Sequence, residues 1–120
     1  MNILITGGCG FIGSHLTELL VSKGHQVTVF DKYTFSGTLG WLENSIYKKH
    51  IKFILGDIRD YDLVFKSIKN KDCILHLAAL IGIPYSYSSP LAYIKTNIEG
   101  TYNVLEAAKY HNISQTIITS

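Results

Sequence analysis

The chain has 120 residues, of which 47% are hydrophobic and 17% are charged, a balance typical of one folded α/β domain at most. Its formal charge of +2 comes from 11 basic and 9 acidic residues scattered along the sequence, so neither a nucleic-acid partner nor a membrane surface is indicated. The two cysteines, Cys9 and Cys73, lack the spacing of a metal site, and no metal site or secretory leader is predicted. The expected location is the reducing cytoplasm.

The first predicted unit is a strand, a glycine-rich turn and a helix. Residues 2–6 form an apolar run without polar alternation, which is typical of a strand buried on both faces. Helical spacing follows, and its predicted apolar face consists of Ile12, Leu16, Leu19 and Leu20. The helix is expected to end at Lys23-Gly24, where a cation precedes a glycine stop.

Further strands and helices alternate along the rest of the chain. Strands are predicted at residues 27–30, 51–55, 72–77 and 116–119. One helix is predicted behind an Asp60 cap up to Ile68. A second helix, over residues 90–111, should bury one apolar face made of Leu91, Ile94, Ile98, Thr101, Leu105 and Ala108. The stretch 32–50 is expected to be a loop with a short helix around Trp41. This alternation predicts a parallel, doubly wound α/β sheet, because each parallel connection needs a crossover helix.

The glycines at positions 7, 10 and 13 stand where the first strand passes into the first helix. A side chain on Gly7, Gly10 or Gly13 would block, in turn, the tight turn, the approach of a pyrophosphate or the packing of helix on strand. The helix start would offer free amides and a partial positive charge to the anion. The context of strand, helix and a later acidic residue favours a dinucleotide site over a glycine turn without a ligand.

Asp31, at the end of the second predicted strand, is the candidate for cofactor choice. A carboxylate there can accept hydrogen bonds from both ribose hydroxyls, but it repels a 2′-phosphate. The sequence therefore predicts NAD rather than NADP. The neighbouring Lys32 leaves a partial accommodation of that phosphate open, although a solvated loop lysine is the favoured interpretation.

Four motifs in this order resemble one family. They are Gly7-x-x-Gly10-x-x-Gly13, residues 56–60 (Gly-Asp-Ile-Arg-Asp), residues 76–79 (His-Leu-Ala-Ala) and Asn97-x-x-Gly100-Thr101-x-Asn103-x-Leu105. Together they resemble the extended short-chain dehydrogenase/reductases, the NAD-dependent nucleotide-sugar epimerases and dehydratases. The resemblance implies that residues 1–120 are a partial NAD-binding Rossmann domain, cut at its fifth strand and without the sugar-binding C-terminal domain. Family members are often dimers, so the resemblance leaves a homodimer open.

The resemblance also implies roles for individual residues. Besides the glycines, Asp31 and Lys32, the implied cofactor contacts are Phe11, Ile12, Asp57, Ile58, Leu77, Ala78, Ala79 and Thr96. Asp57 would accept a hydrogen bond from the adenine amine; the alternative is that it caps a helix. Asn97 would either contact the cofactor or brace the helix by binding backbone. Tyr85, Ser86 and Tyr87 are the implied substrate-side residues, because they follow the carboxyl end of the fourth strand. His76 is interpreted as a packed structural histidine.

The family's catalytic groups are a Ser/Thr and a Tyr-x-x-x-Lys motif, and both are expected after Ser120. The 120 residues contain no such motif, so no catalytic residue is assigned within them. Residues 79–90 are similar to nucleotide-sugar 4,6-dehydratases acting on N-acetylhexosamine nucleotides in legionaminic-type acid synthesis. The resemblance thus implies a 4,6-dehydratase acting on a nucleotide sugar, with a 4-epimerase as the alternative. An NAD-sensing regulatory protein without catalysis is the alternative from another class.

Overall fold

The computed structural model describes residues 1–32 and 37–119. Residues 33–36, within the predicted irregular stretch 32–50, and Ser120, which follows the last predicted strand, lie outside the described residues. The strands are β1 (Asn2–Thr6), β2 (Gln26–Asp31), β3 (Ile51–Leu55), β4 (Cys73–His76) and β5 (Gln115–Ile118). They form one parallel sheet in the order β3-β2-β1-β4-β5. The predicted strands are confirmed, with bounds that differ by a residue at most.

The helices lie in the connections between these strands. They are α1 (Phe11–Ser22), α2 (Tyr61–Ile68), α3 (Ile83–Ser88), α4 (Pro90–Tyr93) and α5 (Thr101–Tyr110). A π-helical segment, Ile94–Gly100, joins α4 to α5, and 3₁₀ turns occur at Gly40–Leu42 and Lys48–His50. The turn at Gly40–Leu42 confirms the short helix predicted near Trp41. The Asp60 cap is also confirmed, since its carboxylate accepts from the Leu63 amide at 3.2 Å.

Two hydrophobic clusters cover the two faces of the sheet. One cluster joins strand residues Leu4, Phe30 and Ile74 to Val64, Ile68, Val104 and Ala107 of α2 and α5. The other joins Ile3, Ile5, Val27 and Val29 to Leu16, Leu20 and Val21 of α1. Successive residues of β1 therefore face opposite layers, as the period of two along a strand requires. The doubly wound, Rossmann-type architecture is confirmed, and its strand order reverses between β1 and β4, where such folds open a crevice.

The predicted apolar face of α1 is partly wrong. Ile12 and Leu19 are 69% and 52% exposed, whereas the buried positions of the helix are Gly13, Ser14 and Thr17. The helix lies so close to the glycine turn that only small side chains fit between them. The predicted C-terminal stop is confirmed, because Gly24 has a φ of +89°, a conformation that favours glycine.

The long helix predicted over residues 90–111 is also corrected. Its middle is π-helical, and of the predicted apolar face Leu91, Ile94, Ile98 and Leu105 are all exposed. Ala108, also on the predicted face, is buried as expected and Thr101 is half-buried, but the other buried residues are Gly100, Val104 and Ala107. The π-helical turn changes the rotation between the two halves, so one α-helical period cannot describe both of them.

Candidate functional site

The glycine turn after β1 is shaped by two close backbone approaches. Gly7 has a φ of +73°, and a Cβ there would lie 2.8 Å from the amide nitrogen of Ala78. A Cβ on Gly13 would overlap the carbonyl oxygen of Gly7 and lie 2.8 Å from the Cα of Gly8. The geometry thus requires glycine at both positions, for the turn and for the packing of α1.

Gly10 lies in a different environment, at the mouth of the turn. A Cβ there would meet one neighbour, the Gly7 carbonyl oxygen at 3.3 Å, and the residue is exposed. α1 begins directly after it without a side-chain cap. The first-turn amides of Phe11, Ile12 and Gly13 therefore have no partner within the helix, which suits an anionic group. The residues present fit a pyrophosphate at this position.

The carboxylate of Asp31 is fixed beside this turn. It accepts hydrogen bonds from the Cys9 amide at 2.9 Å and from the Lys32 amide at 2.7 Å. Burial raises the pKa of Asp31 above its ordinary value, while these two backbone bonds and the Lys32 charge oppose the rise. The contact between Asp31 and the glycine turn joins residues 22 positions apart, and no local sequence signal identifies it.

Cys9 is not a reactive thiol. Burial, with the charges of Asp31 and Glu43, raises the pKa of the Cys9 thiol to about 12. The thiolate is the nucleophilic form of cysteine. Cys9 therefore contributes its backbone amide to the site rather than its sulfur.

Asp57 lies at the end of β3, next to Asp31, and is paired with two cations. Its Oδ2 accepts from the Arg59 guanidinium at 2.6 and 2.9 Å and lies 3.1 Å from the Lys32 Nζ. The Arg59 guanidinium, beside it, holds the pKa of Asp57 well below its usual range. Asp57 does not cap α2, because Asp60 does so. Sequence reasoning missed both ion pairs of Asp57.

Ile58 is buried between this carboxylate and α5. A Cβ on Gly100 would lie 2.5 Å from the Ile58 side chain, so the π-helical segment lies directly against it. Asn103 donates from Nδ2 to the Ile58 carbonyl oxygen at 2.9 Å. These contacts fix the backbone at the predicted adenine position.

His76 joins β1, β4 and α5 through two threonine hydroxyls. Thr6 Oγ1 accepts from the amides of Leu77 and Ala78, both at 3.1 Å, so both of its lone pairs are occupied. Thr6 must therefore donate its hydroxyl proton to His76 Nδ1, at 2.6 Å, and Nε2–H donates to Thr101 Oγ1 at 2.9 Å. Burial lowers the pKa of His76, which favours this neutral form. The predicted structural role of His76 is confirmed.

The network of Thr6, His76 and Thr101 places the backbone of Leu77 and Ala78 against Gly7. Ala79 follows at the exposed carboxyl end of β4, and Leu80 is then held by Asn97. Asn97 Oδ1 accepts from the Leu80 amide at 2.9 Å, and Nδ2 donates to the Leu80 carbonyl at 3.0 Å. Asn97 thus braces the loop after β4. Thr96, half-buried, precedes it in the π-helical segment.

The three substrate-side candidates lie on α3 rather than in a loop. Tyr85 and Tyr87 are 50% and 84% exposed, and Ser86 is half-buried, with its hydroxyl donating to the Ile83 carbonyl. Tyr93 donates its hydroxyl to the Gly82 carbonyl, which ties α4 to the start of α3. The exposed rings are thus carried on a helix that is itself anchored.

An aromatic pair that sequence reasoning missed borders the glycine turn. The rings of Phe11 and Trp41 meet edge to face with centroids 5.3 Å apart, and the Trp41 amide donates to the Cys9 carbonyl at 3.1 Å. Trp41 is the one tryptophan of the sequence. Its fluorescence therefore reports on this turn.

The opposite edge of the sheet carries a separate groove of about 780 Å³. It is lined at the strand starts by Asn2, Gln26 and Lys52. None of the predicted cofactor or substrate residues lines it. Within residues 1–32 and 37–119, no cluster of three or more histidine, cysteine or acidic side chains could hold a metal. Over the same ranges, no helix has the length and apolar character needed to cross a membrane.

Residues 4–119 match the family model described as GDP-mannose 4,6 dehydratase. The chain belongs to this family. Its relatives include dTDP-glucose 4,6-dehydratases and nucleotide-sugar epimerases, and the resemblance to extended short-chain dehydrogenase/reductases is thereby confirmed. A dTDP-glucose 4,6-dehydratase from Streptomyces niveus is 39% identical over 96% of the chain, which covers 36% of that protein.

Solved structures of both kinds of enzyme share the fold of this family member. DesIV, a dTDP-glucose 4,6-dehydratase from Streptomyces venezuelae solved with NAD and TYD bound, has a TM-score of 0.86 and 30% identity over 97% of the chain and 38% of its own. A UDP-glucose 4-epimerase from Thermotoga maritima, solved with UDP-glucose, has a TM-score of 0.86 and 33% identity over 100% of the chain and 38% of its own. The chain thus spans little more than a third of the relatives' length.

Proposed function

We propose that this chain binds NAD at the carboxyl edge of its sheet, as the cofactor-binding part of a nucleotide-sugar 4,6-dehydratase. The observation that carries the proposal is the pairing of an open Gly10 and uncapped α1 with a fixed Asp31 carboxylate. The family membership and the NAD-containing structure of DesIV support it.

Each part of the cofactor has candidate residues among those described. The pyrophosphate would be held by Gly10 and the first-turn amides of α1, and the adenosine ribose by Asp31. Asp57 and Ile58 would lie at the adenine, and Leu77, Ala78, Ala79 and Thr96 at the nicotinamide half. Tyr85, Ser86 and Tyr87 would face the nucleotide sugar.

The bound cofactor would supply a hydride acceptor for the sugar C4 and later return the hydride. The residues of this chain would bind the cofactor and orient it toward the sugar. The Thr6–His76–Thr101 network holds the backbone of Leu77 and Ala78 in place, and the Asn97 amide holds Leu80. We place the groups that move protons, a Ser/Thr and a Tyr-x-x-x-Lys pair, after Ser120.

A 4-epimerase is the second candidate, favoured by the likeness to the Thermotoga maritima enzyme. Dehydration needs an acid for the departing C6 hydroxyl and a base for the C5 proton, whereas epimerisation needs neither. We expect Thr-x-Glu directly after Ser120 in a dehydratase. A Ser/Thr without the glutamate favours the epimerase, and loss of the Tyr/Lys motif as well favours an NAD-sensing protein without catalysis.

Calorimetric titration with NAD and NADP tests the cofactor proposal in the protein that carries this chain. NAD should bind more tightly than NADP, and Asp31→Ala should weaken NAD binding by about tenfold or more, because hydrogen bonds to a charged group are lost. Asp62→Ala, which removes an exposed carboxylate from the first turn of α2, is the matched control and should leave NAD binding unchanged. Tighter binding of NADP by the wild type contradicts the proposal.

The isolated 120-residue chain gives a second test. We expect it to form no 4-keto sugar from any nucleotide sugar, because it contains no Tyr-x-x-x-Lys pair. Product formation by the purified chain would contradict the placement of the proton-moving groups after Ser120.

A further inference from the structure

Three side chains at the carboxyl ends of β2 and β3 form what we call the Asp57 cluster: Lys32, Asp57 and Arg59. Asp57 lies at its centre and contacts both cations, at 3.1 Å for Lys32 and 2.6 Å for Arg59. Its other oxygen, Oδ1, accepts from the Arg59 amide at 2.9 Å. Both carboxylate oxygens are thus engaged with the surrounding chain.

The cluster lies directly beside the proposed ribose site. Asp31 and Leu55 are partners in the parallel register of β2 and β3, and the Gly56 amide donates to the Asp31 carbonyl at 2.9 Å. Lys32 and Asp57 therefore leave neighbouring strand ends side by side. Any group attached to the 2′ position of a ribose held by Asp31 would enter the field of this cluster.

The charges of Asp31 and the Asp57 cluster cancel. Two carboxylates, Asp31 and Asp57, face two cations, Lys32 and Arg59. A 2′-phosphate carries about two negative charges at neutral pH and would need an unpaired cation to offset the repulsion from Asp31. In this structure the ammonium and the guanidinium are both directed to Asp57 instead.

We propose that Asp57 is a specificity-determining residue that withholds Lys32 and Arg59 from a 2′-phosphate and so enforces the choice of NAD over NADP. The proposal rests on the proposed NAD site. Asp31 acts on the ribose hydroxyls themselves, whereas Asp57 acts by occupying the two cations that could reverse the preference. A direct contact of Asp57 with the adenine would affect both cofactors equally, so the ratio of their dissociation constants isolates this role.

The test is Asp57→Asn in the protein that carries this chain, with NAD and NADP dissociation constants measured by calorimetry. The variant keeps the shape of the side chain and removes its charge, which leaves a net positive charge beside the ribose. We expect the ratio of the NADP to the NAD dissociation constant to fall by about tenfold, and the fall to shrink as salt is added. Asp57→Ser, measured alongside, removes the same charge with a different side chain.

Two further variants sharpen the result. Asp62→Asn removes one negative charge from exposed α2 and should leave the ratio unchanged. Adding Lys32→Met to Asp57→Asn should cancel at least half of the gain in NADP binding. The double variant lacks the Lys32 ammonium, which the loss of the Asp57 charge would otherwise free to attract the 2′-phosphate.

The outcomes separate this proposal from the proposed function. If the wild type binds neither cofactor, the NAD site itself is wrong. If NAD binds and Asp31→Ala weakens it, but neither Asp57 variant changes the ratio, the NAD site stands and the role of Asp57 is overturned. A ratio that falls equally in Asp62→Asn also overturns it, because overall charge then explains the change.

Discussion

Two polar regions lie at the same edge of the sheet and differ in kind. At the ends of β2 and β3, the Asp57 cluster is charged and largely exposed, and its lysine and arginine side chains are 62% and 40% accessible. At the ends of β1 and β4, the network of Thr6, His76 and Thr101 is neutral, and Thr6 and His76 are buried. Exposed ion pairs contribute little to stability, whereas buried polar groups are costly when they lose a partner. We therefore expect the first region to govern ligand choice and the second to govern the shape of the site.

The largest effect should come from Thr6→Val. The substitution removes the oxygen that accepts from the Leu77 and Ala78 amides and the proton that reaches His76 Nδ1. His76 Nδ1 and the Ala78 amide then lose their partner, whereas the Leu77 amide keeps the Thr6 carbonyl oxygen, so the free energy of unfolding should fall by about 3 kcal/mol. Denaturant unfolding measures the change.

Thr28→Val is the matched control for that substitution. Thr28 is buried on the adjacent strand β2, and no hydrogen bond of its hydroxyl is seen among residues 1–32 and 37–119. Its replacement should change the free energy of unfolding by less than about 0.5 kcal/mol. Equal losses in both variants would show that the network contributes nothing beyond ordinary threonine packing.

The second effect is a pH dependence that originates in His76. Its pKa is lowered in the folded chain by burial, so the unfolded chain takes up the proton first as the pH falls. The stability contributed by neutral His76 is therefore present above its ordinary value of 6.5 and is lost as the pH falls through the lowered value. In that window the free energy of unfolding should fall by up to about 1.4 kcal/mol per pH unit.

Denaturant unfolding at a series of pH values measures this slope. In His76→Gln the part of the slope that begins near the ordinary histidine pKa should disappear, whereas His50→Gln, at an exposed histidine, should retain it. A wild type whose stability rises as the pH is lowered through this window would contradict the neutral tautomer inferred from the threonine contacts.

The smallest effect should come from breaking the charged region. Arg59→Ala removes the strongest contact of Asp57, but Arg59 is exposed and solvent screens the pair. The free energy of unfolding should change by less than about 1 kcal/mol, and by less still at high salt. If the free energy of unfolding instead fell by about 2 kcal/mol or more at every salt concentration, the Asp57 cluster would stabilise the fold as a buried network does. The contrast between the two regions would then be wrong.

The elements that were predicted correctly from the sequence are those whose structure depends on a short local pattern of residues. The buried run of residues 2–6 and the glycine stop at Gly24 carry their signal in a few adjacent residues, and the structure has both in place. Family motifs identified the carboxyl edge as the candidate site, although the contacts of individual residues with a cofactor stay a prediction.

The features that were not predicted from the sequence depend on contacts between residues far apart in the chain, or on the close packing of small side chains. The Thr6–His76 contact joins residues 70 positions apart, and no period of hydrophobic residues reports it. The buried side of α1 was missed because Thr17 and Gly13 pack against the glycine turn through their small size, whereas hydrophobic periodicity identifies large apolar side chains. A Cβ on Gly8 would lie 2.8 Å from both Val29 methyl groups, which shows how little space this packing leaves.

The π-helical segment Ile94–Gly100 makes the length of this helix as important as its composition. A π-helical turn holds about one residue more than an α-helical turn, so deleting one residue would let the segment close as ordinary α-helix, with little rotation of one end relative to the other. Adding one residue after Asn97 would instead rotate the part before it by about 100° relative to α5. Asn97 could not then reach Leu80 while Val104 and Ala107 stay in the core, so an insertion would uncouple the loop after β4 from the hydrophobic layer beneath it.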